Sequence, residues 1–396
     1  LTDHFHPPAG VTGLMALAAA VFLLTLTACG PGLNKHRLDA GDLTGTNVRV
    51  LFGGDFAFGD TYEEGRKIIE RYGHGHGMKN LAPLLNRSDF SMVNLETPLT
   101  SVDIRPYRAL KKWVHRGHPD AYARLLKEYR IHAVALANNH ATDCGTEGLL
   151  ETIRVLDKAS VLRTGAGGDA REAARPLIRE IAVGNDLIRL AVFAAYEDDR
   201  IIGAEPDWPF ASEEKPGVNL LASESVFQGI KAFKEKNPKG LAVVFPHWGA
   251  NYSWKSPAQT ERARQLIDAG ADIVIGHGAH MLQEIENYQG RWIIYSLGNF
   301  VFNTPGRYAK NNAWPYSAVA FLIFAANQDG RSVRVRLYPI VTDNLATGYQ
   351  PRAVEENEFN TVVEVLREKS ARAPAPQRSL TTGKDEMGFY LEGDVL

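Results

Sequence analysis

Apolar residues in this chain follow two spacings. Short, nearly continuous apolar runs end abruptly in glycines and polar residues: "VRVLFGGD" (Val48–Asp55), "DFSMVNLE" (Asp89–Glu96), "HAVALANNH" (His132–His140), "LAVVFPHWG" (Leu241–Gly249) and "ADIVIGHGAH" (Ala271–His280). Such runs predict buried strands. Between them the period lengthens. Tyr122, Leu125, Leu126 and Tyr129 recur at helical spacing, as do Leu149, Ile153 and Leu156, with Arg154 and Lys158 facing outward. Alternating strands and helices predict an α/β layered fold. Later, "RWIIYSLGNFVFN", "SAVAFLIFAA" and "SVRVRLYPIV" follow one another with few helices between them. Val333, Val335 and Leu337 alternate with Arg334 and Arg336, the pattern of a half-exposed strand. A mainly β half after an α/β half predicts two sheets packed together and covered by helices.

The start of the chain has a different texture. Leu14 to Ala28 is an uninterrupted run of apolar and small residues. It is short for a membrane span, which needs about 20 residues, and suits the apolar part of an export signal. It ends in Leu26-Thr27-Ala28-Cys29, which resembles a bacterial lipobox. Residues 1–29 are therefore expected to be a lipoprotein signal peptide with Cys29 as the lipidated residue. Residues 30–47 read as a polar tether, 48–343 as the folded domain and 344–396 as a C-terminal extension with a Pro-rich stretch and peripheral last residues. The expected location is outside the cytoplasm, anchored by lipid to the outer face of the cytoplasmic membrane or in the periplasm or outer membrane.

Charge narrows the partners. The formal net charge is −2, from 44 basic and 46 acidic residues, which leaves no electrostatic case for nucleic acid. The basic run Arg105, Arg108, Lys111, Lys112, His115 and Arg116 around Trp113 reads as a solvated face, with a polyanion-binding patch as the sharper alternative. There are two cysteines. With Cys29 lipidated, Cys144 is a lone thiol and reads as a small packed side chain. His74 and His76 in "GHGHG" read as part of a flexible polar loop.

The ends of the predicted strands carry the chemistry. Asp55, Glu96, Asn138, Asn139, His140, His247, His277 and His280 all follow an apolar run at the same relative place. In layered α/β folds that edge is where sites form. Carboxylate and amide oxygens with several imidazoles make a donor set for Mn, Fe or Zn. Asp143 stands three residues past His140, where it can orient the ring.

Taken together, "FGGDFAFGD", "VNLETPLT", "ALANNHATDCGTEGLLETIRVLDKA", "PHWGANY", "LIDAGADIVIGHGAH" and "IIYSLGNFVF" resemble the CapA family of capsule and poly-γ-glutamate synthesis proteins, related in fold to calcineurin-like metallophosphoesterases. The resemblance implies a four-layer α/β/β/α sandwich with one or two divalent ions at one edge. Asp55 would be the first ligand and Glu96 would take the place of the bridging carboxylate. Asn139 would bind through its amide, and His247, His277 and His280 would complete the set. His140 would protonate the leaving group, with Asp143 behind it. Three positions depart from the pattern. Ala57 stands where phosphoesterases carry a His, Gly278 and Ala279 replace a His-Pro pair, and Asn251 replaces a common Glu. The implied function is an envelope-anchored, metal-dependent hydrolase or transferase acting on an anionic polymer such as poly-γ-glutamate or on a phosphoester, alongside membrane synthesis or export subunits. The alternative is a non-catalytic polymer-binding or export factor.

Overall fold

The computed structural model describes residues 43–197, 208–327, 330–370 and 378–396. The expected signal peptide, Cys29, and the tether up to residue 42 lie outside the described residues. No helix among the described residues is long and apolar enough to cross a membrane.

Among the described residues, two large sheets form. The seven-stranded sheet runs in the order Leu43–Gly45, Leu177–Val183, Asp186–Tyr196, Leu241–His247, Ile273–Ile275, Arg291–Ile294, Ile285–Tyr288. The main path of the ten-stranded sheet is Thr381–Asp385, Gly388–Asp394, Gly330–Val341, Tyr316–Asn327, Asn47–Ala57, Phe90–Leu95, Ala133–Ala135, Leu162–Thr164. Asn299–Phe302 also pairs with Asn47–Ala57, and Arg352–Ala353 with Gly330–Val341. The two sheets do not divide the chain into an α/β half and a β half. The late strand Tyr316–Asn327 lies antiparallel beside the first long strand, Asn47–Ala57.

Strand alternation explains the layering. In Asp186–Tyr196, Leu190, Val192 and Ala194 face the core shared with the large sheet, whereas Ala191, Phe193 and Ala195 face helices. Leu241, Val243 and Phe245 repeat the first pattern, and Ala242 and Val244 the second. Between the sheets, the rings of Phe52 and Phe245 approach to 5.5 Å. On the outer face, Val226, Ile230 and Phe233 of helix Glu224–Lys236 pack with Ala263, Leu266 and Ile267 of helix Pro257–Asp268. Helices Pro119–Glu128 and Gly145–Lys158 bury Tyr122, Leu125, Leu126, Leu149, Ile153 and Leu156 into the core on the large-sheet side. The result is the expected α/β/β/α sandwich. Each such side chain, fully buried, contributes about 1.5–3 kcal/mol.

Local signals set the helix ends. Ser256 and Gln259 form a capping box with Pro257 at the first turn. Tyr129, the last member of the periodic set, is the C-terminal cap of its helix and only partly buried.

Three expectations are corrected. Leu43–Gly45, placed in the tether, is a strand paired in parallel with Leu177–Val183. The last residues are not peripheral: Gly388–Asp394 pairs with Gly330–Val341, and Leu391 and Val395 are buried in the core. Charged neighbours along that hairpin hide a strand that is half-buried and salt-bridged. His74 and His76 do not sit on a flexible loop but in a 3-10 helix, His74–Leu81. His74 Nε2 donates to Asp60 at 2.7 Å, and His76 Nε2 donates to the Gly348 carbonyl at 3.0 Å while its ring stacks on Tyr72.

Candidate metal centre

Parallel pairing brings the strand ends together. Asn47–Ala57, Phe90–Leu95 and Ala133–Ala135 run parallel in one sheet, and Leu241–His247 and Ile273–Ile275 run parallel in the other. Their carboxyl ends deliver Asp55, Glu96, His140, His247, His277 and His280 to one place, all buried.

Close approach of backbone makes this possible. A Cβ on Gly278 (φ +105°) would lie 2.9 Å from the Trp248 nitrogen and 3.2 Å from the His247 ring. Only glycine fits there. His280 itself adopts φ +59°, a left-handed conformation that is uncommon for a side chain with a Cβ and recurs at functional sites.

Two groups of possible ligands share Asp55: Asp55, His247 and His277, and Asp55, Glu96 and His280. His277 Nδ1 lies 3.3 Å from Asp55 Oδ1, and His280 Nδ1 lies 3.1 Å from Asp55 Oδ2. Asp55, rather than Glu96, is thus common to both groups. Glu96 Oε1 is approached by the Nε2 atoms of His140, His247 and His280, each at 3.9 Å. Asn139 is half-buried; its amide oxygen is buried and has no hydrogen-bond partner.

The electrostatics are unbalanced. Burial would raise the Asp55 carboxyl, but hydrogen bonds with His277 and His280 outweigh it and hold the group well below the usual carboxylate range. Glu96 goes the other way: burial, then the Asp55 charge, push it well above that range. Burial also pushes His140 and His247 well below the usual imidazole range, followed for His140 by the Lys111 charge.

A divalent ion fits these residues. Both oxygens of Glu96, the Asn139 amide oxygen and His277 Nε2 are buried with no hydrogen-bond partner among the described residues. Buried polar groups are normally satisfied, and an unpaired buried carboxylate costs several kcal/mol. The 3.9 Å N···O separations are too long for hydrogen bonds. They fall below the roughly 4.2 Å that two metal–ligand bonds of about 2.1 Å can span.

Around the donors lies a shell of which the sequence singled out only Asn138. Asn94 donates to Asp55 Oδ1 at 3.0 Å and lies 3.2 Å from His247 Nδ1. Asn138 donates to Asn94 Oδ1 and accepts from the His140 backbone. Asn299 Oδ1 faces His280 Nδ1 at 2.9 Å, and Tyr308 donates to the His280 carbonyl at 2.8 Å. Such partners fix ring orientation and tautomer.

Asp143 sits where expected, with Oδ2 at 2.6 Å from His140 Nδ1. Burial pushes its carboxyl up and Lys111 pulls against that. Lys111 and His115 correct the reading of a solvated basic face. Lys111 is buried, ion-paired to Asp143, and donates to the Asn139 carbonyl at 2.7 Å. His115 packs its ring 3.8 Å from that of His140, and its backbone N–H donates to Asp143 at 2.6 Å. Cys144 is buried, and burial pushes its thiol up to about 11, as suits a packed and unreactive group.

Fold and donor set together define an α/β/β/α sandwich with a buried carboxylate–imidazole cluster suited to a divalent metal. Residues 49–304 match the bacterial capsule synthesis protein family PGA_cap, and the chain belongs to that family. It is 32% identical over 75% of its length, and 68% of the relative's, to the capsule biosynthesis protein CapA of Bacillus anthracis. It is 30% identical over 72% of its length, and 75% of the relative's, to a probable polyglutamine synthesis accessory protein of Mycobacterium tuberculosis. Among solved structures it aligns with a phosphatase from Mycoplasma pneumoniae at 16% identity and a TM-score of 0.41, over 75% of this chain and 94% of that one. At that level the likeness says nothing about activity.

Proposed function

We propose that this protein is an envelope-anchored, metal-dependent hydrolase or transferase in capsule polymer synthesis. Its substrate is a polymer such as poly-γ-glutamate or a phosphoester intermediate. One observation carries the reading: Glu96, buried and without a donor, has three imidazole Nε2 atoms at 3.9 Å from its Oε1. Asp55, Glu96, Asn139, His247, His277 and His280 would hold one or two ions of Mn, Fe or Zn character. When bound, the ion supplies Lewis-acid polarisation of an acyl or phosphoryl oxygen.

The chain's own groups do the rest. Asp143 holds Nδ1 of His140, so Nε2 is the atom aimed at the cleft, where it exchanges a proton with the reacting group. Lys111, ion-paired to Asp143, opposes the effect of burial on that carboxyl. Tyr252 and Phe302 pack on the His280 ring at 5.5 and 4.7 Å and limit water on that side. Anchoring rests on the apolar run before Cys29. A Cys29→Ala protein that fractionates and matures like wild type contradicts it.

The test is metal analysis of the purified protein, with turnover measured on a γ-linked glutamate polymer and on a phosphodiester. Absence of both metal and turnover favours a polymer-binding or export factor. Ala57, standing where related phosphoesterases carry a nitrogen ligand, supports that second reading.

A further inference from the structure

We infer that Arg307, seated between Trp113 and Tyr252, anchors a carboxylate of the bound substrate chain. The inference rests on the reading of the cleft as a polymer site and supplies the group that recognises charge there. His140 and His280 line the same cavity of about 190 Å³ as Arg307, with Tyr62, Trp113 and Tyr252 among its walls. The Arg307 guanidinium carbon lies 5.2 Å from the Trp113 ring centroid and 5.7 Å from that of Tyr252. Flat rings on either side hold the guanidinium, which also hydrogen-bonds the Tyr252 hydroxyl, and its five-donor fork keeps further N–H groups for a ligand.

Several half-buried arginines of this protein are ion-paired, Arg163 with Asp157 and Glu172, Arg264 with Glu286, Arg336 with Asp385 and Glu392, whereas Arg49 and Arg262 are half-buried without an ion pair among the described residues but do not line the cavity. Arg307 has no ion-pair partner among the described residues.

Its position is tied to the metal cluster. Gly306 (φ +70°) turns the chain into the short helix Arg307–Lys310. The next residue, Tyr308, donates to the His280 carbonyl and accepts from Asn299, the amide that faces His280 Nδ1. From the other side, Tyr252 holds φ +57° and donates its N–H to the Ala279 carbonyl at 2.7 Å. A bulky residue in that conformation is strained and persists where its surroundings hold it. Arg307 and His280 are thus kept at a fixed separation, as needed to hold a chain by one charged group while another part reacts.

The charge balance selects the ligand. A single guanidinium with Glu64 lining the same cavity suits a planar, singly charged carboxylate, which matches the guanidinium fork, better than a dianionic phosphate.

The test titrates the metal-loaded full chain with a short γ-linked glutamate oligomer and with the same oligomer amidated at its carboxyls, following tryptophan fluorescence. Wild type should prefer the acid form about 10- to 100-fold, the range for hydrogen bonds to a charged group. Arg307→Gln should lose the preference and Arg307→Lys retain part of it, with metal content and melting temperature unchanged. Inorganic phosphate should compete weakly. An Arg307→Gln protein that is folded, metal-loaded and still discriminates overturns the inference, as does phosphate competing as well as the acid oligomer. Failure of the hydrolase reading looks different: no turnover, with the Arg307-dependent preference intact. A wild type that hydrolyses polymer without any acid preference leaves the hydrolase reading standing and overturns this one.

Discussion

The ten-stranded sheet carries clustered charge at two places, one half-buried and one fully buried, and they are built differently. Toward the C-terminal edge, Arg336 pairs with Glu392 at 2.6 Å and with Asp385 at 2.8 Å. Tyr338 donates to the same Asp385, and Arg334 pairs with Glu392. Each charge there has an opposite charge and a hydrogen bond. At the strand ends, Asp55 and Glu96 lie in one ligand group, and neither oxygen of Glu96 has a hydrogen-bond partner among the described residues. The first arrangement is complete with protein atoms alone. The second holds acceptors that no protein donor among the described residues satisfies. Clustered charge by itself therefore says little about function; buried acceptors without partners say more.

Four changes sharpen that contrast, from the largest expected effect downward. His140→Ala should cut turnover about 10²–10⁴-fold while leaving metal content largely intact, whereas His280→Ala should lower both. Metal content and turnover per folded molecule, measured on the two variants, check this. His140 Nε2 lies as close to Glu96 as those of His247 and His280, so loss of metal in His140→Ala would make it a ligand instead of an acid. Lys111→Met should destabilise the fold by about 3–5 kcal/mol, because it leaves Asp143 buried without its cation; denaturant unfolding measures it. Glu392→Gln should cost about 1–2 kcal/mol, less because its partners are half-exposed, and should leave metal binding untouched.

The smallest effect concerns pH. Burial, with the Arg130 charge, pushes His132 down to about 4 from 6.5. The folded state therefore refuses a proton that the unfolded chain accepts. The contribution to stability is complete above pH 6.5 and is lost as pH falls toward 4. Melting temperature should drop over that window, and His132→Gln should make the drop shallower. An unchanged slope would show that His132 titrates normally.

How much was legible in the sequence follows from the same contrast. Asp55, Glu96, His247, His277 and His280 could be found because each ends a continuous apolar run, and parallel strands carry such ends to one edge. Lys111 and His115 could not, because a charge-rich loop has no periodicity and only the fold reveals that it passes behind His140. Asn94 sits inside the run "DFSMVNLE", where an amide looks like an interruption until Asp55 and His247 are seen on either side. The edge hairpin near the C-terminus was missed because its charges, paired across strands, read locally as solvent-exposed.

The most direct test of the unsatisfied cluster is the thermal stability of Glu96→Gln, measured with and without divalent metal beside metal content. Glu96→Gln removes a carboxyl whose charged form burial and Asp55 disfavour in the folded state, and should raise the melting temperature of the metal-free protein at neutral pH, by the equivalent of about 1–3 kcal/mol. The further rise that metal gives wild type should shrink or vanish. A variant that is less stable than wild type without metal, and that gains as much from it, would contradict a metal role for Glu96.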